Sequence, residues 1–274
     1  MATLRITIDI FSGRPNPVIE LSGKQARQAL ALVRSAKRGR ERGPPSVPTL
    51  GYRGLLVERP GSRQRAPLRT IDPALEDFVA GSLPLLRKLA LGRSFPALLR
   101  QEMERFRDLR EHWRSHRHHW PDRDRCHCAP LYEPGWWNDG GQRQFNNNCY
   151  NYASDYRTDI FAQPGRAAGA MYTALTCASV RPAAVADALI ASPTANNRCP
   201  REGHLVALVI APGIDFHWYR KGRNGYWSHK PGPTPVVNVD NSGQLIPDPR
   251  TANRGMYTQF CTFMVVMHGH VKIQ

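Results

Sequence analysis

The run His204-Leu205-Val206-Ala207-Leu208-Val209-Ile210 constrains the fold of this chain more than any other stretch. It is apolar at almost every position, so neither of its faces suits water, and so short a segment reads as a central strand covered on both sides. The break Ala211-Pro212-Gly213-Ile214 follows, and Asp215 to Arg220 resumes as a second strand. The pattern predicts a hairpin at the centre of a sheet.

The second strand, Asp215-Phe216-His217-Trp218-Tyr219-Arg220, leads through Lys221-Gly222-Arg223-Asn224-Gly225 into Tyr226-Trp227-Ser228-His229-Lys230. Aromatic flanks around Gly and Asn-Gly turn chemistry predict another hairpin. A loop from Lys221 to Gly225 centres on Arg223 and sets His217 directly opposite His229, with both imidazoles on one face and close enough for one ring to orient the other. A two-residue Asn224-Gly225 turn would shift the register and separate them. Solvated hairpin histidines are the plainer alternative.

A third segment, Asn146-Asn147-Asn148-Cys149-Tyr150-Asn151-Tyr152-Ala153, gives the pair something to act on. Asn148 is a good N-cap, and Cys149, Tyr152, Ala153, Tyr156 and Ile160 recur at the spacing of one helical face. Cys149 then occupies a first turn, where free amides and the helix dipole lower a thiol pKa. The competing reading is a buried packing cysteine.

The order is a Cys149 helix, a helical segment near Pro182 to Ala191, a buried strand, a strand with His217 and a strand with His229. It resembles the papain-like superfamily, particularly its compact bacterial branch of NlpC-type and CHAP-type amidases and peptidases, over roughly Phe145 to Val271. The resemblance implies an α+β fold whose C-terminal half packs a nucleophile helix on an antiparallel sheet. It implies a cysteine hydrolase that cleaves or transfers an amide-linked acyl group through a thioester, on peptide or peptidoglycan-type substrates, without a cofactor or metal. Cys149 matches the nucleophile, His217 the base and His229 the orienting residue. The chain departs from the pattern before the cysteine: Gln142 and Gln144 do not fall at the spacing of papain's glutamine, and Asn148-Cys149 replaces the Asp-Cys or Gln-Cys pair of the cell-wall branch. The Cys149 amide is then the first oxyanion donor, with Gln144 or Asn147 beside it. Asn238 and Asp240, in the Pro, Asn, Asp and Gly-rich tract from Pro231 to Gly255, are rival third members. A non-catalytic binding or interaction protein on the same scaffold is the alternative function.

The net charge of +16 is uneven. Residues 1–125 hold 25 Lys and Arg against 13 Asp and Glu, a net +12, and residues 126–274 hold 13 against 9, a net +4. This predicts a basic N-terminal α+β module over 1–125 and the hydrolase domain over 126–274. The basic half suits an anionic polymer, but no nucleic-acid motif accompanies it. No apolar run reaches the ~20 residues of a membrane span. The opening Met1 to Ile10 alternates as a strand and lacks a signal-peptide pattern, which predicts a cytoplasmic protein or export by a signal-peptide-independent route. Six cysteines in 274 residues do not read as a disulfide framework. Cys177, Cys199 and Cys261 are read as packing residues, with a Cys177–Cys199 bridge only on export.

Within the first half, a strand ends at Phe11 and the turn Ser12 to Pro17 follows. Ser22 with Gln25 then signals a helix with Ala26, Ala29, Leu30 and Val33 inward. Arg38 to Pro48 reads as a loop, Leu50 to Val57 as a strand, and Pro73 to Leu91 and Phe95 to His116 as helices; in the latter Leu98, Leu99, Met103, Phe106, Leu109 and Trp113 share an apolar face. Between the halves, His112, His116, His118, His119, Cys126, His127 and Cys128 bring metal-ligating residue types together, but their spacing is not that of a zinc finger. A polar helix end and linker is preferred. Trp136-Trp137 either covers a cleft or anchors that linker.

Overall fold

The computed structural model describes residues 3–35, 40–41, 47–61, 67–82, 86, 89, 91–112, 126–191 and 196–274. The fold is α+β, with two antiparallel sheets in two compact units. One unit comprises Met1–Ile10, Asn16–Val47 and Gly51–His112; the other comprises Phe11–Pro15, Pro48–Leu50 and Trp113–Gln274. Two short pieces of the N-terminal half therefore belong to the second unit.

The first unit holds β1 (Thr3–Asp9), β2 (Val18–Ser22), α1 (Gly23–Ser35), β3 (Arg40–Glu41), β4 (Gly54–Glu58), β5 (Leu68–Thr70), α2 (Pro73–Gly81) and α3 (Phe95–His112). Its strands run in the order β2-β1-β4-β5-β3. Alternation along β1 buries Leu4, Ile6 and Ile8, and β2 adds Ile19 and Leu21 on the same principle. Strand β2 is not expected from the residue pattern, and β3 falls within the expected loop from Arg38 to Pro48. Ser22 ends β2 and immediately precedes α1, whose Ala26, Ala29 and Val33 are buried as predicted. Helix α2 stops at Gly81, short of the expected Leu91, where the Ser82 amide turns back to the Val79 carbonyl. Leu99, Met103 and Phe106 of α3 are buried, and Trp113 lies outside the described residues.

Part of this unit's arginine is internal. Asp9 is fully buried, with Oδ1 accepting from Arg53 Nη2 at 2.7 Å and Oδ2 from Arg69 Nη1 at 2.7 Å. Burial alone would raise its pKa, but the guanidinium of Arg53, then that of Arg69, hold the carboxyl down at about 2.

The second unit contains α4 (Pro134–Trp137), α5 (Gln142–Asn146), α6 (Cys149–Ala153), α7 (Cys177–Ala186), β6 (Ile190–Ala191), β7 (His204–Ala211), β8 (Asp215–Lys221), β9 (Trp227–His229) and β10 (Gln259–Val266). The sheet order is β6-β10-β7-β8-β9, so the apolar run is the central strand, buried at every position, as its composition predicts. The helix expected near Pro182 to Ala191 begins earlier, at Cys177, and Ile190–Ala191 is a strand. The tract after β9 folds back through single bridges between Trp227 and Ile246, His229 and Val237, and Val239 and Leu245.

The expectation of unpaired cysteines is overturned. Cys126 is bonded to Cys199 and Cys177 to Cys261, each with Cα atoms 5.3 Å apart, whereas Cys128 and Cys149 are free. Cys261 falls in the bulge where the β10–β7 register shifts between Phe260 and Thr262, a device that re-aims a side chain out of strict alternation. The partners lie 73 and 84 residues apart, beyond the reach of local pattern, and the Cys177–Cys199 pairing considered from sequence does not form.

Candidate active site

Asn148 caps α6 as predicted: its side-chain oxygen accepts from the amides of Tyr150 and Asn151, and Asn151 answers by accepting from the Asn148 amide. Cys149 therefore opens the helix. The helix then ends at Ala153, so Tyr156 and Ile160, expected on its buried face, are exposed. The environment of the thiol also differs from expectation. Cys149 is completely buried among Phe216, Trp218, Val180, Leu208 and Ile210, and its Sγ lies 4.0 Å from the Phe216 carbonyl. Burial pushes its pKa well above the usual thiol value, and the Asp215 carboxylate adds to the rise; the Trp218 amide and Lys230 oppose it. A single short helix does not offset that desolvation, so the resting group is a thiol, not the thiolate predicted from the helix terminus.

The histidine pair forms, with a different register. Tyr219 pairs with His229 and Lys221 with Trp227, around the loop Arg223-Asn224-Gly225 in which Gly225 takes a φ of 79°. A three-residue loop closed by a left-handed glycine replaces both turns considered from sequence. His229 lies diagonal to His217 on the same face, and His217 Nε2 is 2.9 Å from His229 Nδ1. The rings of Tyr219 and Tyr257 pack against His217, with centroids at 4.8 and 5.5 Å.

The tautomers follow from the acceptors. His229 Nε2 is 3.0 Å from the Val239 carbonyl, which only accepts, so the proton sits on Nε2 and neutral His229 accepts at Nδ1. His217 Nε2–H is then the donor, and when that ring is neutral its lone pair lies on Nδ1. His229 is held neutral because burial lowers its pKa to about 4, against smaller opposing effects of the Val239 carbonyl and Asp240.

The other candidates separate cleanly. Asp240 accepts from the amides of Ser242, Gln244 and Asn253, and the Asn238 carbonyl accepts from Ile246; both organise the loop. Asn147 is saturated, donating to the Arg143 carbonyl and Asp159 and accepting from the amides of Thr158 and Asp159. Gln144 is buried, with Oε1 accepting from the Gly140 amide, while its Nε2 has no hydrogen-bond partner among the described residues. Gln144 keeps a donor that Asn147 has spent.

Two residues that no sequence motif marks, Lys230 and Asp215, complete the setting. Lys230 is buried with Nζ donating to the carbonyls of Gln144, Asn147 and Gly232, which ties the loop before Cys149 to the end of β9. Asp215 Oδ2 accepts from the amides of Ser12 and Gly13 and, at 2.6 Å, from the Tyr257 hydroxyl. Burial raises the Asp215 pKa to about 6 despite those donors. Of the metal-ligating cluster, Cys126 is lost to its disulfide, the side chain of His112 and all of His116, His118 and His119 lie outside the described residues, and Cys128 contacts the Arg201 carbonyl. Trp137 is buried against Tyr152, with ring centroids 5.5 Å apart, whereas Trp136 is exposed.

Insoluble matrix shell protein 1 of Ruditapes philippinarum is 46% identical to this chain over 142 residues, a stretch that makes up 51% of this chain and 91% of that protein. No protein-family profile matches the chain, and no solved structure matches it.

Proposed function

We propose that the second unit of this chain, which belongs to the family of insoluble matrix shell protein 1, is a papain-like cysteine hydrolase or acyltransferase acting on amide-linked acyl groups. The observation that carries the reading is the fixed imidazole relay from Val239 through His229 to His217, which leaves the basic lone pair of His217 on Nδ1. The order of the Cys149 helix, central strand, His217 strand and His229 strand supports the same reading.

In this mechanism the thiol and imidazole rest as a neutral pair. Once the cysteine sulfur comes within reach of His217 Nδ1, that nitrogen takes the Cys149 proton as sulfur attacks the acyl carbon, and His229 Nδ1 steadies the imidazolium by accepting from His217 Nε2. The Cys149 amide and Gln144 Nε2 donate to the oxyanion. The proton then passes to the leaving amine, and water or an amine resolves the thioester. Peptide or cell-wall-type substrates fit the resemblance, and the basic half offers an anionic polymer a partner surface. Two disulfides and a shell-matrix relative support an extracellular setting over the cytoplasm.

The test is an activated acyl ester, read by intact mass and peptide mapping. Acylation at Cys149 that disappears in Cys149→Ala and persists in Cys128→Ser is the expected result. Acylation confined to Cys128 would sink the proposal. The relative's name and the complete burial of Cys149 favour a second reading, a non-catalytic matrix protein that keeps the cysteine for packing.

A further inference from the structure

The segment Phe11–Pro15 is held against the residues around Cys149 by four separate anchors. Asp215 Oδ2 accepts from the Ser12 amide at 2.7 Å and the Gly13 amide at 3.2 Å. The Gly13 carbonyl accepts from Asn148 Nδ2 at 2.8 Å and Gln163 Nε2 at 2.7 Å. Ser12 Oγ meets the Tyr257 hydroxyl at 2.8 Å, and Arg14 Nη1 donates to the Ile214 carbonyl at 2.7 Å.

Two of the groups around this segment adjoin Cys149. Asn148 is the N-cap preceding Cys149, and Phe216 supplies the carbonyl that Sγ faces. Gly13 approaches that carbonyl so closely that a Cβ at residue 13 would lie 2.6 Å from its oxygen and overlap the Phe216 ring. Gly13 is gripped through its backbone alone, amide by a carboxylate and carbonyl by two carboxamides, and only glycine fits. That is how an enzyme holds a peptide whose side chain it excludes.

We propose that Ser12-Gly13 is an internal occupant of the acyl-donor site: it covers Cys149 and stands where a glycine-containing peptide substrate binds after displacing it. This rests on the hydrolase reading for the substrate, but not for the cover. The strap accounts for a completely buried nucleophile in a chain whose histidine relay is already assembled.

Two substitutions open the strap without touching Cys149, His217 or His229: Gly13→Ala, through the overlap with Phe216, and Ser12→Pro, which removes the amide donated to Asp215. In a Cys128→Ser background with both disulfides intact, iodoacetamide should alkylate Cys149 at least about tenfold faster in either variant than in its parent, the factor expected when about one buried hydrogen bond is lost. Should a variant fail to unfold cooperatively, amide exchange of the parent at Ser12 and Gly13 replaces it, with opening expected to keep pace with Cys149 alkylation as denaturant is added. Unchanged alkylation in folded variants, or exchange at Ser12 and Gly13 uncoupled from alkylation, overturns the cover. Faster alkylation without acylation by the activated ester leaves the cover standing and defeats the hydrolase reading. Faster acylation in the opened variants, slowed by a glycine-containing peptide but not by its alanine counterpart, supports both; equal slowing by the two peptides removes the assigned substrate class.

Discussion

His229 meets His217 on the diagonal of their hairpin: the ladder pairs His229 with Tyr219, yet the two ring nitrogens lie 2.9 Å apart. The diagonal lets the Tyr219 ring pack on both imidazoles while the hydrogen bond is kept.

If that bond fixes the base, His217→Ala should abolish acylation of Cys149, and His229→Ala should slow it by up to on the order of 10⁴, the cost of a missing third member in a comparable triad. His229→Asn, which can accept from Nε2 through its carboxamide, should recover part of the loss. Stopped-time mass spectrometry with the acyl ester reads all three. Wild-type rates in His229→Ala would show that the relay has no catalytic part.

The cysteines predict a simple count. Without reductant, the denatured chain should titrate two thiols, and the native chain should react with iodoacetamide at exposed Cys128 well before buried Cys149. More than two thiols would contradict the disulfide assignment.

Much of this was legible in the sequence and some of it was not, for physical reasons that differ by residue. The strand from His204 and the cap at Asn148 are written in neighbouring residues, so local pattern is enough to identify both. The sharing of one face by His217 and His229 survives a two-residue register change because side-chain direction repeats every second residue. The register itself turned on Gly225 taking a left-handed conformation, which composition does not single out among the loop's residues. The raised thiol pKa was illegible, because burial depends on the packed unit, whereas the local helix terminus by itself points to a lowered value. The roles of Asp215 and the disulfide partners depend on contacts across 73 to 203 residues, where a local pattern carries no information.

His204 makes the fold sensitive to mild acid. Its Nε2–H donates to the Ala153 carbonyl, and burial lowers its pKa from 6.5 to about 4. A depressed histidine is neutral in the folded chain, while the unfolded chain takes up the proton below about pH 6.5, so its stabilising effect falls between pH 6.5 and 4. The raised Asp215 runs in the opposite direction below about pH 6, so the comparison must isolate His204. Wild type should lose about 3 kcal/mol relative to His204→Gln across that window. Denaturant melts at three pH values would measure it, and a constant difference would contradict the burial effect.

Asp9 governs a lower window. With its folded pKa at about 2, its contribution is complete above about pH 4 and disappears as pH falls through 2. Asp9→Asn leaves Arg53 and Arg69 without their carboxylate and should cost about 3–5 kcal/mol at pH 7. A loss below about 1 kcal/mol would mean that the arginines find other acceptors.

The disulfides interlace rather than nest: Cys177 lies inside the loop closed by Cys126–Cys199, and Cys261 lies outside it. Under tension this sets how far the chain can be drawn out. Between Cys126 and Cys261 the backbone path is 135 residues, but load passing from Cys199 back to Cys177 travels only the 22 residues between those positions. At about 3.5 Å per residue, that limits extension to roughly 80 Å where the reduced chain could yield about 470 Å. A segment built this way is a short, stiff link in any network that holds it, and it becomes a long slack one only when its bridges are reduced.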